Sequence, residues 1–262
     1  MKKLVESSAY AGMVIQLLIS ILLPIGLIIY WSRKGYFSWK AFFTGIAVFI
    51  LFAQVLEAGL HTVMIDPAGP SLKVSDNPYL FALYGGLAAA VFEELGRYLA
   101  FLFVLKNSRE FGDGVSLGIG HGGIEAVLIG AFGAVNAFIY ATMVNAGTFE
   151  TVFSALPADQ VAAIKQQVID TGFWLYALGA VERAAAIIIQ ITFSVIVLFG
   201  VKARKFQYVL YAIGLHLLVD FFVALYQVGI VTSIWLIEAW VIAFAGLSLF
   251  MLKKMKEKFR QT

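Results

Sequence analysis

Seven runs of mostly apolar residues, each long enough to cross a bilayer as a helix, dominate this chain of 262 residues. In hydrocarbon every backbone N–H and C=O must find its partner within the protein, so such runs fold as helices. They cover about residues 10–31, 39–63, 79–105, 115–145, 173–201, 206–227 and 233–252. The expected fold is therefore all-α: a polytopic transmembrane helical bundle of seven predicted spans. It forms a single integral membrane domain over residues 1–262, and no soluble domain is visible. Composition agrees, with 61% hydrophobic and 13% charged residues, where ordinary globular domains carry roughly a quarter charged.

Met1-Lys2-Lys3 ahead of the first run resembles the start of a signal peptide, but the run is too long for one and no small-residue cleavage site follows. Residues 147–171 are the most polar segment. Val161, Ile164 and Val168 recur there at helical spacing, which predicts an amphipathic helix on the membrane surface. Asp66-Pro67-Ala68-Gly69-Pro70 and Asn77-Pro78 are turn chemistry. The loops after the first, third and fifth runs and the C-terminal tail hold thirteen Lys and Arg, against Lys2, Lys3, Lys73 and Lys165 on the other side. That imbalance predicts an external N-terminus and a cytoplasmic C-terminus. The net charge of +3 lies in these short loops, so nucleic acid is not an expected partner; membrane lipid is. With no cysteine, disulfides, thiolate metal sites and a cysteine nucleophile are excluded.

The third run carries Glu93, Glu94 and Arg97 in its middle. Charged groups at that depth are costly and normally face a protein interior or a wet cavity. On an ideal helix Glu93 lies about 40° from Arg97 and Glu94 about 60° away on the other side, so either can pair with it. One arginine neutralises one carboxylate; the second is then prepared as a base or proton carrier.

Each of the three histidines has a carboxylate four residues away: Glu57–His61, His121–Glu125 and His216–Asp220. Sixteen acids in 262 positions make three such coincidences improbable, roughly 0.002, and four is the spacing that shares a helix face. A carboxylate so placed orients an imidazole or serves as a ligand beside it. His121, His216 and the glutamate pair can meet at one depth, with a cavity expected to open toward the cytoplasm. Glu57–His61 lies near the outer end of its run, and its role stays open. Glu182-Arg183, about 100° apart as neighbours, need other partners and read as structural. Glu238, at the start of the last run, is expected to be solvated. Gly114, Gly118 and Gly122, with Gly120 and Gly123 around His121, form a small-residue stripe that permits close helix approach.

The set Glu93-Glu94-x-x-Arg97, His121-x-x-x-Glu125 and His216-x-x-x-Asp220 resembles the CAAX-protease and bacteriocin-processing superfamily of intramembrane proteases, and most closely its YhfC branch, related to the PrsW proteases. The resemblance covers about residues 79–227. It departs from the prenyl-protease pattern in an arginine one residue nearer the glutamates and in Asp220 where asparagine is usual. The resemblance implies a peptidase of a bacterial plasma membrane, acting on a membrane-associated peptide or protein. Glu93, Glu94, Arg97, His121 and His216 are then the catalytic set, with the first glutamate as base. His121, His216, Glu125 and Asp220 are the candidate metal ligands, with zinc as the metal; a metal-free mechanism stands beside it. There is no His-Glu-x-x-His motif. A proton-coupled transporter and a non-catalytic membrane scaffold are the alternatives.

Overall fold

The computed structural model describes residues 4–261, and Lys2 and Lys3, which enter the charge count, lie outside them. The described residues are helical apart from short connections, with only isolated bridges at Ile65, Leu72 and Ser75. The long helices are α1 (Ser7–Arg33), α2 (Trp39–Met64), α3 (Pro78–Leu99), α4 (Phe111–Ala146), α5 (Ala158–Asp170), α6 (Phe173–Lys202), α7 (Gln207–Gln227) and α8 (Ile234–Gln261). Ser38 caps α2, its side chain accepting from the Ala41 amide. Asn77 caps α3, with Pro78 in the first turn, where its missing N–H costs nothing.

Three stretches widen into π-helix: Phe49–Glu57 within α2, Ala100–Val104 continuing α3, and Ala126–Ala131 within α4. An i→i+5 turn inserts a residue and re-aims the side chains around it, and such turns concentrate at functional sites. Glu57 ends the first, Arg97 lies three residues before the second, and Glu125 immediately precedes the third.

Among the described residues six helices, not the expected seven, are long and apolar enough to cross a membrane: α1, α2, α4, α6, α7 and α8. The one left out, α3, carries Glu93, Glu94 and Arg97 and is less apolar for it.

The chain divides into two compact units. The first comprises the segment up to Ile25 together with Glu125–Ala184. Its core joins Val5, Ala9 and Met13 to Ala141, Val144, Phe149 and Tyr176, and takes in Val161 and Val168 of α5. The apolar face of α5 is thus covered by protein rather than laid on lipid as expected; the same spacing serves either surface. Asn145 fastens the N-terminal segment, accepting from the Val5 amide at 2.9 Å and donating to the Val5 carbonyl at 3.2 Å.

The second unit comprises Gly26–Ile124 and the chain from Ala185 on. There α3 packs most extensively on α7, and the π-helical part of α2 also lies on α3. The α6 segment is enclosed: 83% of its most apolar stretch is buried, against 22–33% in the other five. Phe193 joins Ile237, Val241 and Phe244 of α8 in one cluster. Glu238 sits in that packed face and is buried at 4% exposure, so it is not solvated as expected. Helix α8 also outruns its predicted end near residue 252, because Met255 and Phe259, four apart, bury on one face beneath the basic tail.

Candidate functional site

Glu93, Glu94, Arg97, His121 and His216 meet inside the second unit, all buried. Arg97 binds both carboxylates at once: Nη2 donates to Glu93 Oε2 at 3.0 Å, and Nη1 to Glu94 Oε1. Angle alone left that choice open. Three and four residues of separation let the planar fork span both.

The two histidines divide the glutamates between them. His121 Nε2 lies 2.8 Å from Glu93 Oε2. His216 Nδ1 lies 2.8 Å from Glu94 Oε1, and its Nε2 is 3.2 Å from Asp220 and 4.0 Å from Glu93. A neutral imidazole has one N–H. A neutral His216 can therefore donate to only one of Glu94 and Asp220. Phe193 stacks on the His216 ring at 5.0 Å, and Phe49 meets His121 edge-on at 5.2 Å. His121 Nδ1 has no hydrogen-bond partner among the described residues.

Backbone contact brings His121 there. A Cβ on Gly118 would collide with the Ile191 backbone on α6, and one on Gly120 with the Phe42 carbonyl on α2. Glycine at these two positions lets three helices close around the histidine.

One member was not anticipated. Gln190, on α6, accepts from Arg97 and donates through Nε2 to Glu93 Oε2 at 3.2 Å. Its signal was present: an amide deep within an otherwise apolar run of α6 needs a partner there.

The spacing pairs fared differently. His216–Asp220 and Glu57–His61 form as expected, each at 3.2 Å, and His61 Nδ1 also meets the Tyr84 hydroxyl at 2.9 Å. His121 instead takes Glu93 as its partner. Glu125 belongs to the first unit, where Arg183 reaches it at 3.2 Å and also binds Glu182. Glu182 and Arg183, expected to need partners elsewhere, thus pair with each other as well.

The sequence matches the profile of the family described as YhfC intramembrane metalloprotease over residues 19–241. The uncharacterized membrane protein YhfC of Bacillus subtilis (strain 168) is 38% identical over 243 residues, covering 92% of this chain and 94% of that one. This chain belongs to the YhfC intramembrane metalloprotease family. No solved structure matches it.

The YhfC family description implies a metal, and the donors can be compared with that. Zinc takes about four ligands, three of them protein groups in a catalytic site. Among the described residues no three His, Asp or Glu side chains are arranged to hold an ion. The Glu93 oxygen nearest the histidines already accepts from Arg97 and Gln190, and both His216 nitrogens face carboxylates. As arranged, these residues do not form a metal cage.

Proposed function

We propose that this chain is an intramembrane peptidase that hydrolyses a peptide bond in or next to the bilayer, with Glu93 as general base. One observation carries the proposal. Glu93 Oε2 is the meeting point of His121, Arg97 and Gln190, with His216 4.0 Å away, in a buried setting. These contacts fix the orientation of the carboxylate, the geometric requirement of a general base.

In the proposed reaction Glu93 takes a proton from water, and the hydroxide adds to the scissile carbonyl carbon. The proton passes to the leaving nitrogen as the C–N bond breaks, and Glu93 is regenerated. His121, through Nδ1, which has no partner among the described residues, holds the water, and His216 turns its Nε2 from Asp220 to the oxyanion as it develops. Arg97 offsets the charge of Glu94, which in turn orients His216. The motif resemblance to the CAAX-protease and PrsW superfamily supports the first glutamate as base. Helix α3 serves as a seventh span, its charges turned inward. The thirteen-to-four distribution of Lys and Arg supports an N-terminus outside and a C-terminus in the cytoplasm, and the family resemblance supports a bacterial plasma membrane.

The test compares new peptide termini in membranes of cells carrying the wild-type chain or the Glu93→Gln, Glu94→Gln double variant. Termini present only with wild type are expected. Identical termini in both, together with uptake of a solute into sealed vesicles by the wild type alone, would replace peptidase with transporter.

A further inference from the structure

Glu57, His61 and Tyr84 form a second polar group that the proposed reaction does not use. We propose that these three residues and Asp220 line a wet entrance to the Glu93 site, opening on the side of the membrane where α2 ends and α3 begins. This rests on the peptidase proposal for its purpose, but not for its geometry.

Burial changes along this route. The side chains of Arg97, Glu94 and His121 are fully enclosed, and those of His216 and Glu93 are 5% and 8% exposed. Glu57 follows at 11%, at the end of the π-helical stretch of α2 that packs on α3. Beyond it His61 is 31% exposed and Asp220 34%. An exposed carboxylate and imidazole facing acyl chains would be expensive, so the surface they present must be wet. Their apolar neighbours on the same helices, Val55, Val63 and Leu218, are exposed as lipid-facing residues are. The polar group is therefore a separate stripe, not part of the lipid surface.

The direction follows from position. His61 is within one turn of the end of α2 at Met64, and Tyr84 is in the second turn of α3. Asp220 lies one turn beyond His216 toward the end of α7 at Gln227. Toward the other end of α3, Arg97, Phe101 and Leu105 are buried, and the groove that α2 and α3 leave there is lined by apolar side chains such as Val48, Leu51, Phe52 and Phe103 rather than by a polar stripe. The backbone itself marks the route. The π-helical stretch of α2 begins at Phe49, against His121, and ends at Glu57. A mouth on this side is opposite to the cytoplasmic opening that the sequence suggested. With the proposed orientation, it faces outward and admits peptide from the external surface.

The cysteine-free chain makes this testable. Single cysteines replace Tyr84 or Asp220, with Ala68→Cys between α2 and α3 and Lys106→Cys after α3 as markers of the two sides. A membrane-impermeant thiol reagent is applied to sealed vesicles of each orientation. Cysteines at 84 and 220 are expected to react from the Ala68 side and to be silent from the Lys106 side. Reaction from the Lys106 side alone, or none while both markers react, overturns the entrance. Should a variant fail to fold, the wild-type chain is treated from each side with a hydrophilic carbodiimide and mapped by mass spectrometry. Adducts on Asp220 or Glu57 only from the Ala68 side support the entrance; adducts only from the Lys106 side overturn it. Labelling requires no turnover. The expected pattern in a chain that cleaves nothing therefore keeps the entrance and discards the peptidase.

Discussion

Gln190 Nε2 donates to Glu93 Oε2 at 3.2 Å, and the same amide's oxygen accepts from Arg97, which itself binds Glu93. The three side chains close a ring of hydrogen bonds across two helices, and the carboxylate cannot turn without breaking it. Gln190 is thus a positioning residue for the base. Replacing it with leucine should lower turnover on the order of 10²-fold, the cost of a misplaced catalytic group, with little change in KM. Asparagine, which keeps the amide but not the reach, should fall between. Steady-state kinetics on a substrate identified from the membrane comparison reads the split. An equal rise in KM with unchanged turnover would make Gln190 a binding residue instead.

Glu93→Gln should keep the shape of this ring and lose the base. The expected loss is about 10²–10⁴-fold, the usual worth of general base catalysis, with the thermal transition in detergent close to wild type. Glu94→Gln should impair less, because Glu94 reaches the centre through His216 and Arg97. A fully active Glu93→Gln beside an inactive Glu94→Gln would exchange their roles.

Arg97 is enclosed and holds both glutamates. Truncation to alanine leaves two buried carboxylates without their cation, which costs about 3–5 kcal/mol. Arg97→Ala should therefore be less stable than the Glu93→Gln, Glu94→Gln double variant, which removes the charges along with the need for them. Unfolding in detergent ranks the two. The reverse order would mean that the carboxylates are neutral in the folded protein.

Gly118→Ala and Gly120→Ala test the approach of α4 to its neighbours. Each added methyl meets backbone, which cannot rotate aside. Overpacking of this kind costs about 1–3 kcal/mol, and it should also pull His121 away from Glu93. Both variants should lose activity as well as stability. Gly133→Ala, where nothing stands within 4 Å of a Cβ, serves as the neutral control.

Much of this was legible in the chain, for physical reasons. Bilayer thickness sets helix length, so apolar runs located the six helices long and apolar enough to span it to within a few residues, α8 excepted at its end. Charges in hydrocarbon need partners, which is why Glu93, Glu94, Arg97, His121 and His216 could be expected together. The partners themselves were harder to read. Spacing along one helix correctly paired His216 with Asp220 and His61 with Glu57, but His121 turned to Glu93 on another helix, while Glu125 is held by Arg183. Single-helix periodicity carries no information about which neighbour arrives. Nor does it reveal π-helical turns, which depend on the packing that re-aims them. Gln190 was overlooked because an uncharged amide stands out less than a carboxylate, although its need for a partner is of the same kind.

Metal content bears on the last open choice in the chemistry. An imidazole binds zinc through a lone pair, so it must be neutral and its nitrogen free of a proton. His216 has a carboxylate at each nitrogen, and His121 Nε2 is engaged by Glu93. Of the four ring nitrogens His121 Nδ1 alone has no partner among the described residues, so zinc would gain a second nitrogen only by displacing these contacts, and it would enter beside the Arg97 guanidinium, whose charge repels it. The expected outcome is protein that retains activity after dialysis against a chelator, with far less than one equivalent of transition metal by elemental analysis. One equivalent of zinc, lost together with activity in both His121→Ala and His216→Ala, would instead show that the histidines reorganise around an ion. In that case acidification should release the metal as the imidazoles take up protons.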